Sequence, residues 1–187
     1  MHENFNTYYD NIDHSFWRNL CVEEGVICQF SKGEEFISAG EVARYIGYIK
    51  SGALKYVAYS ADGTEHVVGL EFAGGFVADF PFSLLGEKSR ISIVAVTNCE
   101  IFCIPTKDVE TRLETDESLR DIVAATNVAL FDTLYDRYIS LHTKNAQKRY
   151  DELITKHSDL FAIFPLKDIA SFLNITPTHL SRFRKSD

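Results

Sequence analysis

Apolar side chains recur along this chain with two different periods, and the change of period divides it into three stretches. Near the start, Tyr8, Tyr9, Ile12, Phe16, Trp17, Leu20 and Cys21 fall at helical spacing. They predict one short helix within residues 3–24, packing its aromatic face on the next segment of the chain. From Val26 to Ile104 the texture becomes short runs rich in Val, Ile, Phe and Tyr, punctuated by glycine. Regular short strands with turn signals between them predict an antiparallel barrel or sandwich. Asp62-Gly63, between KYVAYS and EHVVGLEF, predicts a two-residue hairpin. After Pro105 the helical period returns. Residues 106–115 read as a short helix, and a longer one runs from about Glu117 to Thr143. Along it Leu119, Val123, Leu130, Leu134 and Leu141 keep nearly heptad intervals, with Asn127 at a seam position. Phe131, Tyr135, Tyr138 and Ile139 fall beside that seam. One stripe would pack on the strands and the other on a twin helix, unless both are simply core.

The last stretch, Pro165 to Lys185, carries the most specific pattern. Leu166, Ile169, Ala170 and Leu173 recur at i, i+3, i+4 and i+7, one apolar stripe on a short helix that Pro165 opens. Asn174-Ile175 is the turn, Thr176 an N-cap, and Pro177 the first position of a second helix. On that helix Leu180 and Phe183 point one way. Thr178, Arg182 and Lys185 point the other, with His179 and Ser181 on the flanks. Two short helices across a tight turn, the second polar and basic outside, make a helix-turn-helix sized for the DNA major groove. Thr176, Pro177, Thr178, His179, Ser181, Arg182 and Lys185 are the candidate DNA-binding residues. Gln147 to Lys156 reads as the helix before them, with a hinge near residues 143–145.

Charge sharpens this picture. The net charge of −8 argues against nucleic acid only until its distribution is seen. Residues 1–143 carry 11 basic and 22 acidic side chains, a net of −11; residues 144–187 carry 8 and 5, a net of +3. An acidic body with a basic tail fits a protein that docks only its tail on DNA, while the body repels the duplex. No apolar run approaches the length of a membrane span and the first residues do not resemble a signal peptide, so a cytoplasmic protein without a membrane partner is expected. Cys21, Cys28, Cys99 and Cys103 lack metal-site spacing, and the six histidines are scattered. No metal is expected. No nucleophile–base pair, phosphate loop or paired carboxylate stands out, so an enzyme is not expected.

The order Gly33 to Ile104, with Ser51-Gly52-Ala53-Leu54-Lys55, Asp62-Gly63, Gly74-Gly75 and Asn98-Cys99-Glu100-Ile101, resembles the β-roll of the Crp/Fnr transcription-regulator superfamily. With the helix-turn-helix, the resemblance covers nearly the whole chain, and the ITPTHLSRFRK ending is similar to that of short members. The resemblance implies an α+β protein: an antiparallel, jelly-roll-like β-roll sensor (1–115), a dimerisation helix (116–143) and an all-α helix-turn-helix domain (144–187). It implies double-stranded DNA, a second copy of the chain, a small-molecule effector and RNA polymerase as partners. It implies pairing through the long helix, where the near-heptad spacing makes Val123, Asn127, Leu130, Leu134 and Leu141 the candidate dimer seam, and it assigns base reading to Pro177, Thr178 and Arg182.

In cyclic-nucleotide-binding relatives a Glu takes the ribose hydroxyl and an Arg pairs the cyclic phosphate bidentately. Counting back from Asn98 places Asp79 at the Glu position and Ser89 at the Arg position. Arg90 falls one residue late, and alternation along a strand sends it to the other face. The candidate effector pocket is Gly75, Asp79, Phe80, Ser89 and Arg90, and neither a cyclic nucleotide nor any other cofactor is expected in it. Two rival readings are a ligand-binding β-barrel whose C-terminal helices bind protein, and a cupin-type enzyme. The basic tail argues against the first. The second needs converging metal ligands, whereas only His66 lies among the strands.

Overall fold

The computed structural model describes residues 15–185. Tyr8, Tyr9 and Ile12 of the expected first helix lie outside them; within them α1 is Ser15–Glu24, burying Trp17, Leu20 and Cys21. Eight strands come next: β1 Val26–Phe30, β2 Glu35–Ile37, β3 Tyr45–Ser51, β4 Ala53–Tyr59, β5 Glu65–Phe72, β6 Phe76–Val77, β7 Ser92–Ala95 and β8 Cys99–Pro105. They form two four-stranded antiparallel sheets, ordered β1-β8-β3-β6 and β2-β7-β4-β5. The sheets close over a core that includes Phe36, Ile46, Ile49, Tyr56, Phe76, Ile93 and Ile101. Strand β8 shows the pattern most plainly: Cys99, Ile101 and Cys103 are buried and Glu100 and Phe102 less so, because the side-chain period of a strand is two.

The β4–β5 connection is longer than the two residues expected. Its strands end at Tyr59 and resume at Glu65. The Asp62 carboxylate, accepting from Thr64 N at 3.0 Å and Ser60 Oγ at 2.6 Å, organises a wider loop in which Gly63 takes φ 81°. These bonds hold the Asp62 carboxyl down at about 2.

After β8 the chain is helical: α2 Thr106–Thr115, α3 Glu117–Thr143, α4 Ala146–Lys156, α5 Leu160–Ile163, α6 Leu166–Phe172 and α7 Pro177–Phe183. Asp116 caps α3 by accepting from Leu119 N at 3.1 Å, and Asn145 caps α4 through Lys148 N at 2.9 Å. Pro165 stands just before α6, at its N-cap, rather than within the first turn.

The face of α3 turned to its own chain is Leu119, Thr126, Leu130, Thr133 and Ser140. Leu130, assigned from sequence to an intersubunit seam, is only 4% exposed and packs in the β-roll core. Val123 and Leu141 also pack on the chain's own core clusters. The outward stripe lies opposite: Ala124, Val128, Phe131, Tyr135, Tyr138 and His142, at alternating 4- and 3-residue intervals. Phe131 is 68% exposed and its ring stacks on Tyr135 at 5.9 Å. The exposed apolar stripe thus lies roughly a quarter turn from the residues that the heptad pattern picked out, because both stripes are apolar and only packing tells which one the chain's own core uses up.

The tail does not fold around a private core. Tyr150, Leu153, Leu160, Phe164, Ile169, Phe172 and Leu180 share one cluster with Ala53, Val67, Leu70 and Val96 of the β-roll.

Candidate effector cassette and nucleic-acid interface

Between β6 and β7 the chain makes a 3-10 turn at Phe82–Leu84. Asp79 sits just before it, buried, with its backbone N–H donating to Ser83 Oγ at 3.1 Å. Ser89 Oγ lies 2.6 Å from Asp79 Oδ2 and 2.7 Å from the Ile91 carbonyl. A hydroxyl has one proton to give. The Ser89 hydroxyl is the donor in both short contacts and shares its one proton between the Asp79 carboxylate and the Ile91 carbonyl. Burial pushes the Asp79 carboxyl upward, against the opposing pull of Ser89 and Arg90. The two side chains that register assigned to a ligand thus face each other here.

Arg90 is exposed, with its guanidinium 4.8 Å above the Phe82 ring. Gly75 is buried, and a Cβ there would lie 3.0 Å from the Phe72 carbonyl and run into the Glu71 carboxyl, so any larger residue would displace Glu71. Phe80 belongs to an aromatic group that sequence reasoning did not assemble. Trp17, fully buried, stacks on Phe76 at 5.3 Å and meets Phe80 edge-on at 5.6 Å. Its Nε1–H donates to Thr126 Oγ1 at 3.1 Å, tying α1 and β6 to the long helix.

The helix-turn-helix is α6, a turn through Leu173–Ile175, and α7. Asn174 takes φ 55°, a conformation Asn tolerates. Thr176 Oγ1 accepts from His179 N at 3.2 Å and Pro177 opens α7. Leu180 is fully buried against α6, leaving Thr176, Pro177, Thr178, His179, Arg182 and Lys185 exposed and Ser181 half-buried. Leu166, Pro177, Thr178, Ser181, Arg182 and Lys185 line one open, shallow surface.

Two arginines hold this unit from behind. Arg149 of α4, itself buried, donates to the carbonyls of Lys144 at 2.6 Å and Leu173 at 2.9 Å. Burial lowers its pKa from the ordinary arginine value. Arg137 of α3 donates to Phe172 O at 3.0 Å, with its guanidinium 3.9 Å over the Phe172 ring. Both cations meet carbonyls at the C-terminal end of α6, where the helix dipole is negative. Neither role has a sequence signal, since each arginine lies 24 or more positions from the carbonyl it meets at the end of α6.

Among the described residues no three His, Cys, Asp or Glu side chains converge as a metal site requires, and no helix is long and apolar enough to cross a membrane. Cys21 and Cys103 are buried; burial pushes the Cys21 thiol up to about 12 and the Cys103 thiol higher still.

Residues 27–116 match the cyclic nucleotide-binding domain model. No curated protein sequence matches the chain. Among solved structures it is similar to FixK2 from Bradyrhizobium japonicum, with a TM-score of 0.73, 17% identity, and coverage of 87% of this chain and 83% of that one. A Crp/Fnr-family transcriptional regulator from Eubacterium rectale gives a TM-score of 0.72 at 12% identity, covering 97% and 86%. CLP from Xanthomonas campestris, described as a c-di-GMP responsive global regulator, gives 0.62 at 18% identity, covering 91% and 89%. Residues 27–116 thus match a cyclic nucleotide-binding domain, and the chain shares its fold, over most of its length, with these solved structures.

Proposed function

We propose that this protein is a homodimeric, sequence-specific DNA-binding transcription regulator whose β-roll serves as sensor. The observation that carries the proposal is α7. It is anchored by buried Leu180 and presents Thr178, Ser181, Arg182 and Lys185 on one open surface of the basic tail. An exposed helix of that kind, braced by a partner helix across a tight turn, fits the major groove. Arg182 is the residue best suited to read a base, because its guanidinium can grip guanine O6 and N7 together. The outward apolar stripe of α3 supplies the face for a twin helix, which would place two recognition helices on two half-sites.

On this reading the effector is a molecule other than a cyclic mononucleotide. The Asp79–Ser89 contact and the outward Arg90 leave no cation at the position where a cyclic phosphate would be neutralised. That a structural relative responds to c-di-GMP supports a β-roll of this kind answering to other ligands.

The test is selection from a randomised duplex pool, followed by salt-dependent mobility shifts on the enriched sequence. Arg182→Ala should weaken operator binding by about 1–3 kcal/mol and relax preference at one base position. No enrichment by the wild-type protein, or an unchanged base preference in the variant, would overturn the assignment.

A further inference from the structure

We propose, on the footing of the DNA-binding reading above, that Lys55 is a positioning residue for DNA recognition: its ion pair with Asp168 fixes the helix-turn-helix on the β-roll and so sets the half-site spacing the dimer accepts. Lys55 lies on β4, and its Nζ is 3.2 Å from Asp168 Oδ1 in the first turn of α6. Glu65, at the start of β5, stands 3.7 Å away on the other side. The Lys55 and Asp168 side chains are 12% and 8% exposed, so the charges meet where solvent screens them little.

Three further contacts join the same two surfaces. β5 is the edge of its sheet, and its Val67 N–H donates to Ser171 Oγ of α6 at 2.9 Å. Edge strands expose unpaired backbone groups, and here a helix-turn-helix side chain satisfies one of them. Val67 and Leu70 share a core cluster with Ile169, Ala170 and Phe172. Phe72, at the end of β5, stacks on His157 at 4.4 Å and meets Phe164 edge-on at 5.3 Å.

None of these residues lies on the outward face of α7. Lys55 therefore acts through the frame, not by touching DNA. When two copies pair along α3, the distance between their recognition helices depends on where each α6–α7 unit sits against its own β-roll. The tie fixes that seat. A dimer built this way binds half-sites about one helical turn apart and discriminates against others.

The selected operator, rebuilt with spacers one base pair shorter and longer, tests this. The wild-type protein should lose about tenfold in affinity with either change. Lys55→Glu puts a third carboxylate beside Glu65 and Asp168, and should reduce that loss to about threefold or less while binding to a single half-site stays within about twofold. Lys55→Glu combined with Asp168→Lys reverses the pair, with Glu65 still flanking the lysine, and should restore the wild-type spacing profile. If Lys55→Glu does not fold, Asp168→Asn, isosteric and uncharged, gives the same measurement. A wild-type spacing profile in the folded single variant, or no recovery in the double variant, would overturn the proposal. Failure of the wild-type protein to select any sequence would instead overturn the DNA-binding reading on which it rests.

Discussion

At the scale of single residues, the cassette between β6 and β7 is closed on itself. The Ser89 hydroxyl donates toward two acceptors within 2.7 Å, the Asp79 carboxylate and the Ile91 carbonyl. Burial pushes the Asp79 carboxyl upward, against the pull of Ser89 and Arg90. A cyclic phosphate in the same place would need a cation, and Arg90 instead lies over Phe82 in solvent. Losing a bidentate charge-assisted contact in a closed pocket should weaken binding by about two orders of magnitude or more. Calorimetry on the purified protein with cyclic AMP and cyclic GMP should therefore register no micromolar binding. A micromolar dissociation constant for either ligand would mean that the segment after Ser89 rotates Arg90 inward.

At the scale of elements, α3 is the instructive case. Its inner face is small and polar where it meets α1, with Thr126 accepting the hydrogen bond from Trp17, and apolar where Leu130 enters the core. Its outer face carries Val128, Phe131, Tyr135 and Tyr138, all at least half exposed. Covering a large apolar side chain stabilises by about 1.5–3 kcal/mol, so this stripe has ample area to hold a second helix. Replacing Phe131 and Tyr135 together with Asp should place like charges across the seam and give monomers by light scattering with an unchanged far-UV spectrum. An unchanged dimer mass would remove the stripe from the interface. Leu130→Asp is the wrong test of the seam, because it buries a carboxylate in the β-roll core and acts on folding instead.

At the scale of the whole molecule, the tail and the β-roll share a core, and a buried ion pair crosses between them. Breaking such a pair by removing one partner typically costs about 3–5 kcal/mol, a large part of the stability of a domain this size. The two parts should therefore unfold together. Trp17, the chain's only tryptophan, reports the β-roll, while far-UV circular dichroism is dominated by the helices after Pro105. Denaturation followed by both probes should give coincident transitions. Two separated midpoints would show a tail that is stable without its seat on β5.

What the sequence determined by itself was the local order of the chain. The period of apolar residues placed the strand region and the long helix, and Thr176 and Pro177 placed the start of α7. Each of these depends on near neighbours, where backbone preference and side-chain spacing act directly. The tertiary structure decided the rest. It chose which stripe of α3 is consumed by the chain's own core, closed Asp79 on Ser89, sent Arg137 and Arg149 to the carbonyls ending α6, and brought Lys55 to Asp168 across 113 positions. Two apolar stripes look alike until one is buried, and a charge shows its partner only once the fold has removed the water between them.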